Sequence, residues 1–174
     1  MRNRNQIVAL SLVLALASPA LVACGGGQAA EQEGSGQSEQ QQAGVPNPFV
    51  DCTSAYEAAQ LAGFEVTFPE SVPGYSQRLY QAIEGQMAQC FYSEGEQRVL
   101  VRKAVDDGSG DISGDYNEYD EVSKADVEGT EVTEKGTGGL VYCAIWSKDG
   151  YLFAIDADAG LESDVIESLV AATF

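Results

Sequence analysis

The period of the apolar positions changes repeatedly along this chain, and each change marks an element. Residues 7–17 form an apolar run, Ile7-Val8-Ala9-Leu10 through Leu16-Ala17 with Ser11 its one polar member, behind Arg2 and Arg4. Residues 25–46 carry no pattern: they are rich in Gly, Gln, Ser, Ala and Glu, with Val45 the one β-branched residue. Such a stretch cannot bury enough apolar surface to fold. Pattern begins at Phe49. Ala55, Ala58, Ala59 and Ala62 recur at helical spacing behind Ser54-Ala55-Tyr56-Glu57. That quartet reads as a capping box, in which the hydroxyl and the carboxylate each satisfy a free backbone N–H, and Gly63 supplies the stop. Phe64, Val66 and Phe68 then alternate with polar residues, which predicts a half-buried strand ended by Pro69. Val72-Pro73-Gly74-Tyr75 reads as a turn.

Strand-like segments follow at about 77–84, 86–93 and 97–105, then at 121–127 and 130–135 around Glu128-Gly129. The best hairpin joins Leu140–Ser147 to Tyr151–Ala157, because Asp149-Gly150 offers the positive φ angles of a tight turn. In it Tyr142, Ala144, Trp146, Tyr151, Phe153 and Ile155 share one face, and Val141, Cys143, Ile145, Leu152, Ala154 and Asp156 share the other. The first carries more apolar volume and is the expected core face. Leu161, Val165, Ile166, Leu169 and Val170 return to helical spacing, with Glu162 and Asp164 where the helix dipole favours acids. The expectation is an α+β domain. It has a single, mostly antiparallel β-sheet, with a short N-terminal helix and a C-terminal helix packed on it.

The first apolar run is too short to span a bilayer and is followed by Leu21-Val22-Ala23-Cys24 and then Gly25-Gly26-Gly27. A cysteine directly after Leu-Val-Ala resembles the bacterial lipobox, in which the thiol takes a diacylglyceryl group through a thioether and becomes the first mature residue. The resemblance implies a signal peptide over 1–23 and a lipid anchor on Cys24. Two acyl chains give stable membrane attachment where one is marginal. Residues 24–47 then hold the lipidated cysteine and a disordered tether, whose 25–46 stretch of about 22 residues averages roughly 25 Å end to end and reaches about 75 Å. Residues 48–174 form the extracytoplasmic domain.

Charge sharpens this picture. Residues 1–23 hold two arginines and no acids, so the mature chain sets 7 Lys+Arg against 27 Asp+Glu, a formal charge of −20. Nucleic acid is excluded as a partner, since phosphate binding needs clustered Lys and Arg. The chain has no histidine, which removes Ser-His-Asp and Cys-His mechanisms and most catalytic zinc sites. Paired carboxylates remain as an acid and base. No cofactor is implied.

The run Asn47-Pro48-Phe49-Val50-Asp51, then Ala59-Gln60-Leu61-Ala62-Gly63-Phe64, Pro69-Glu70, Arg102-Lys103-Ala104 and Asp111-Ile112-Ser113-Gly114-Asp115-Tyr116-Asn117 is similar to a family of small lipoproteins and anchored domains of unknown function from Gram-positive bacteria. That resemblance implies an extracytoplasmic α+β domain and brings no catalytic residue with it.

The densest acidic stretch is the one metal candidate. Asp107, Ser109, Asp111, Asp115 and Glu118 fall at offsets 1, 3, 5, 9 and 12 of a calcium loop, but Ile112 stands where the sharp turn needs glycine. A solvated loop with Asp and Ser bonding their own backbone is the preferred reading, so no metal site is assigned. Tyr116 and Tyr119 beside it suit either a sugar- or peptide-binding rim or packing of the loop on the sheet. Glu84, Glu94, Glu96, Asp120, Glu121, Glu128, Glu131 and Glu134 offer possible carboxylate pairs, though exposed strand faces are the default for them. Cys52, Cys90 and Cys143 remain once Cys24 is lipidated. Cys90 is expected inward and Cys143 outward, which leaves Cys52, ahead of the core-packed helix, to pair with Cys90. The expected function is a lipid-anchored binding, sensing or accessory module of the cell envelope, facing an envelope protein or a small ligand. The alternative is a carboxylate-dependent envelope hydrolase.

Overall fold

The computed structural model describes residues 46–174. The expected signal peptide, Cys24 and nearly all of the expected tether lie outside the described residues. The elements run β1 (Val50–Cys52), α1 (Ala55–Ala62), β2 (Gln77–Ile83), β3 (Met87–Glu94), β4 (Gln97–Val105), β5 (Glu121–Val127), β6 (Thr130–Thr137), β7 (Leu140–Lys148), β8 (Tyr151–Leu161) and α2 (Ser163–Ala171). The eight strands form one antiparallel sheet in the order β1-β2-β3-β4-β8-β7-β6-β5. The class is α+β.

Local chemistry explains the boundaries. The Ser54 hydroxyl accepts from the Glu57 N–H at 3.2 Å, and Gly63 closes α1 at φ 79°. The Glu57 carboxylate goes one residue further back than a capping box requires, to the N–H and hydroxyl of Thr53. Asp149 and Gly150 take φ 53° and 81° in the turn between β7 and β8, as a two-residue hairpin demands. The expected strand at 64–68 is absent. Its alternating burial is real, with Phe68 buried and Glu65 and Thr67 exposed, but no neighbouring strand pairs with it. The segment is held from above instead: the Tyr92 hydroxyl, fully buried, donates to the Pro69 carbonyl.

Register places Cys52, Tyr80, Cys90, Val101, Ile155, Ala144, Glu134 and Ser123 in one row across all eight strands. This is the core face. Its buried residues form one cluster with Ala58 and Ala62 of α1 and with Ile166, Leu169 and Val170 of α2. Trp146 and Phe153 stack on it at 5.2 Å. The face assigned from the hairpin pattern holds for Ala144, Trp146, Phe153 and Ile155 and reverses for the pair beyond a bulge. Val141 is in the core cluster, and Tyr142 has turned to the outer face, where it stacks on Tyr119. Against β6, Tyr142 is an extra residue on β7, and against β8 the pairing jumps from Cys143–Asp156 to Val141–Leu161, with 157–160 left unmatched; such a break inverts the alternation.

β4 lies in the middle of the sheet and β5 at its far edge, so residues 106–120 must cross β8, β7 and β6. This strap crosses the outer face. Arg102 of β4 donates to the carbonyls of Ile112 and Ser113, Lys135 of β6 pairs with Asp111 at 2.9 Å, and Ser113 is buried.

Candidate functional site

The strap and the bulge together build a cleft of about 400 Å³, lined by Asp115, Tyr116 and Tyr119 from the strap, Tyr142 from β7, and Asp156 and Asp158 from β8. Each side chain arrives for a local reason. Tyr142 lies over Gly160, whose φ is +67° and where a Cβ would come within 2.9 Å of the ring, so only glycine leaves room for it. Tyr119 stacks on Tyr142 at 5.8 Å and donates its hydroxyl to Asp115. Asp156 stands directly between Leu100 of β4 and Cys143 of β7, an acid in a row whose neighbours are buried.

That placement sets the electrostatics. Burial pushes the Asp156 carboxyl up to about 6, the charges of Asp115 and Asp158 add to the rise, and Arg102 and Arg98 oppose it. Burial and the bond to Asp115 raise the Tyr119 phenol, which therefore stays a hydrogen-bond donor. Arg102 is itself fixed by Gln89 at 2.8 Å, Gln89 by Gln81 at 2.7 Å, and Gln81 by Asp51 at 2.7 Å. These four are directly opposed across β1, β2, β3 and β4, so a polar row runs from the sheet edge to the strap. Chemically, the cleft offers aromatic faces, hydroxyl donors, and carboxylates of which one protonates near neutral pH.

The calcium-loop residues do not converge. Asp107 accepts from the N–H of Ser109, and Asp115 from the N–H of Asn117. Asp111 accepts from the Ser113 N–H and hydroxyl and pairs with Lys135. Burial works against it, but Ser113 and Lys135 hold the Asp111 carboxyl below its usual range. Glu118 is exposed. Among the described residues no group of three or more His, Cys, Asp or Glu side chains is placed to hold a metal ion.

The three cysteines are free and buried. The expected Cys52–Cys90 bridge is not formed, although both do lie on the core face. Tyr80 stands between them in the same row, so they are two strand spacings apart, roughly 10 Å, where a bridge needs Cα atoms within about 7 Å. Cys143 faces outward under the strap. Burial pushes both Cys90 and Cys143 up to about 11, which leaves them protonated and unreactive.

Of the eight acids considered as pairs, none is directly opposite another across the ladder. Glu131 pairs with Lys124, and Glu94 accepts from Ser76. Glu134, expected on an exposed face, is 4% exposed and accepts from Ser163 at the start of α2 at 2.9 Å. The acids that share the cleft, Asp115, Asp156 and Asp158, are not among those eight. The available signal was Asp156 itself, a lone acid inside Leu152-Phe153-Ala154-Ile155-Asp156-Ala157. Compared with known protein families, with curated proteins and with solved structures, the chain shows no match.

Proposed function

We propose that this chain is a lipid-anchored module on the extracytoplasmic face of the cell membrane that binds a partner or ligand of the envelope through the tyrosine-lined cleft. The location rests on Leu21-Val22-Ala23-Cys24 and the tether behind it, and the resemblance to small Gram-positive lipoproteins agrees with it. The binding role rests on one observation. Tyr116 is 95% exposed beside the stacked Tyr119 and Tyr142, at the mouth of a cleft whose polar groups are aspartates. Aromatic faces with carboxylate acceptors suit a hydroxyl-rich sugar or a peptide carrying cations. We read α1 and α2 as the layer that closes the opposite face, leaving the strap side for recognition.

A carboxylate-dependent hydrolase is the second reading, favoured by the carboxyl of Asp156 near 6 beside two further aspartates. The experiment is a glycan and peptide array probed with the full chain and with Asp156→Asn and Tyr116→Ala. Binding lost in Tyr116→Ala and kept in Asp156→Asn supports the binding module. Turnover of a captured glycan, abolished in Asp156→Asn, replaces it with the hydrolase. Metabolic labelling with a fatty acid tests the anchor: Cys24→Ala should carry no label, and persistent label would sink the assignment of Cys24.

A further inference from the structure

A second cavity of about 400 Å³ opens on the core side, where β4, β8 and β7 reach the same end of the sheet. Register sets Lys103 opposite Phe153 and Lys148 opposite Tyr151, so both lysines rise from the core face on either side of β8. Neither is ion-paired among the described residues, in a chain with a large excess of acids. Lys103 Nζ has one hydrogen bond, to the Glu65 carbonyl at 2.8 Å. The rest of its ammonium faces the rings of Tyr151 at 4.2 Å, Phe153 at 5.3 Å and Phe64 at 5.5 Å. Lys148 Nζ lies 3.3 Å from the centre of the Phe174 ring. Aromatic faces attract a cation but accept no conventional hydrogen bond from it, so neither ammonium has a full set of acceptors among the described residues, and both side chains line the cavity.

The rim carries the opposite sign. Glu65 and Asp149 line the same cavity and are exposed. Burial pulls the Lys103 ammonium below its usual range, and the charges of Glu65 and Asp149 work against that fall. Neither carboxylate comes within ion-pair distance of a lysine. Lys103, Lys148, Glu65 and Asp149 are the charged side chains that line it. A free anion meets the two carboxylates; a free cation meets the two lysines. A molecule carrying both charges satisfies all four, and aromatic walls suit an apolar body between them.

We propose that this cavity binds a small zwitterion with an apolar side chain, of the α-amino acid class, its carboxylate on Lys103 and Lys148 and its ammonium on Glu65 and Asp149. The site lies on the opposite face from the tyrosine-lined cleft and does not depend on it.

Calorimetry on the full chain in detergent tests this with three probes: L-phenylalanine, phenylacetate, which lacks the ammonium, and 2-phenylethylamine, which lacks the carboxylate. Phenylalanine should bind saturably and at least about 10-fold more tightly than either single-charge analogue. Lys148→Met should weaken it by about 10-fold, and Glu65→Gln should weaken phenylalanine while sparing phenylacetate. Both positions reach the surface, and an unchanged melting temperature verifies that the variants fold. No saturable binding of phenylalanine overturns the proposal, as does phenylacetate binding equally well or Lys148→Met binding phenylalanine unchanged. Asp156→Asn should not affect this binding, so failure here leaves the cleft reading standing, and the reverse.

Discussion

Two adjacent rows of the sheet, one residue apart in register, show how differently its faces are built. The row from Cys52 through Tyr80, Cys90, Val101, Ile155 and Ala144 to Glu134 points inward and is apolar until its last members. The row from Asp51 through Gln81, Gln89 and Arg102 to Ala154, Ile145, Thr133 and Lys124 points outward and is polar in its first half. The inner row is stabilised by removing apolar surface from water, a non-directional effect. The outer row is held by directed bonds that end on two strap carbonyls. Packing tolerates many apolar sequences, whereas a polar chain fails at its weakest member. Substitution should therefore damage the inner face in proportion to volume, and the outer face in proportion to the bonds left unmade.

The largest effect belongs to the inner row. Ile155→Ala, at a fully buried position, should cost about 2–5 kcal/mol, read as a drop in the denaturation midpoint with an unchanged slope. A cost below about 1 kcal/mol would mean the inner row is not the packed core. Arg102→Met comes next. It leaves Gln89 and the carbonyls of Ile112 and Ser113 without their donor, which should cost about 2–3 kcal/mol. It should also free the strap, so limited proteolysis ought to cut within 106–118 before the strands. Uniform cutting would show that Arg102 does not hold the strap.

Asp156 gives a smaller effect with a pH signature. Its folded carboxyl titrates at about 6, above the ordinary value near 3.9 of an unfolded chain. Between those values the folded state holds more protons than the unfolded one, so this group's contribution falls as pH rises from about 4 through about 6. Asp156→Asn should therefore stabilise the protein at pH 7.5 and not at pH 4. The gain, discounted for partial solvent access, should be about 1–2 kcal/mol. Equal effects at both pH values would break the link to ionisation. The smallest effect is expected at the edge of the outer face. Lys124 and Glu131 pair with both side chains about two-thirds exposed, and Lys124→Ala should change stability by less than about 0.5 kcal/mol. A larger loss would give this edge pair a structural role.

By itself, the sequence determined whatever depends on neighbours along the chain. Ser54 and Gly63 bound α1, Asp149-Gly150 turns β7 into β8, and alternation places Cys90 inward and Cys143 outward. The burial rhythm of 64–68 was equally legible, but rhythm does not supply a pairing partner, and that segment is not a strand. Tertiary structure decided the rest, because the remaining contacts join residues whose sequence separation carries no signal. Strand order put β4 far from β5 and so drew the acidic stretch across the sheet as a strap. The break in pairing at Tyr142, with 157–160 of β8 unmatched on β7, inverted the faces of Val141 and Tyr142 and set Tyr142 over Gly160 beside the cleft. Register put Tyr80 between Cys52 and Cys90, which no count of residues along the chain could show. It also surrounded Asp156 with Leu100, Cys143 and the strap. Burial of that one carboxyl is a property of four segments at once, and this is why it emerges only when they meet.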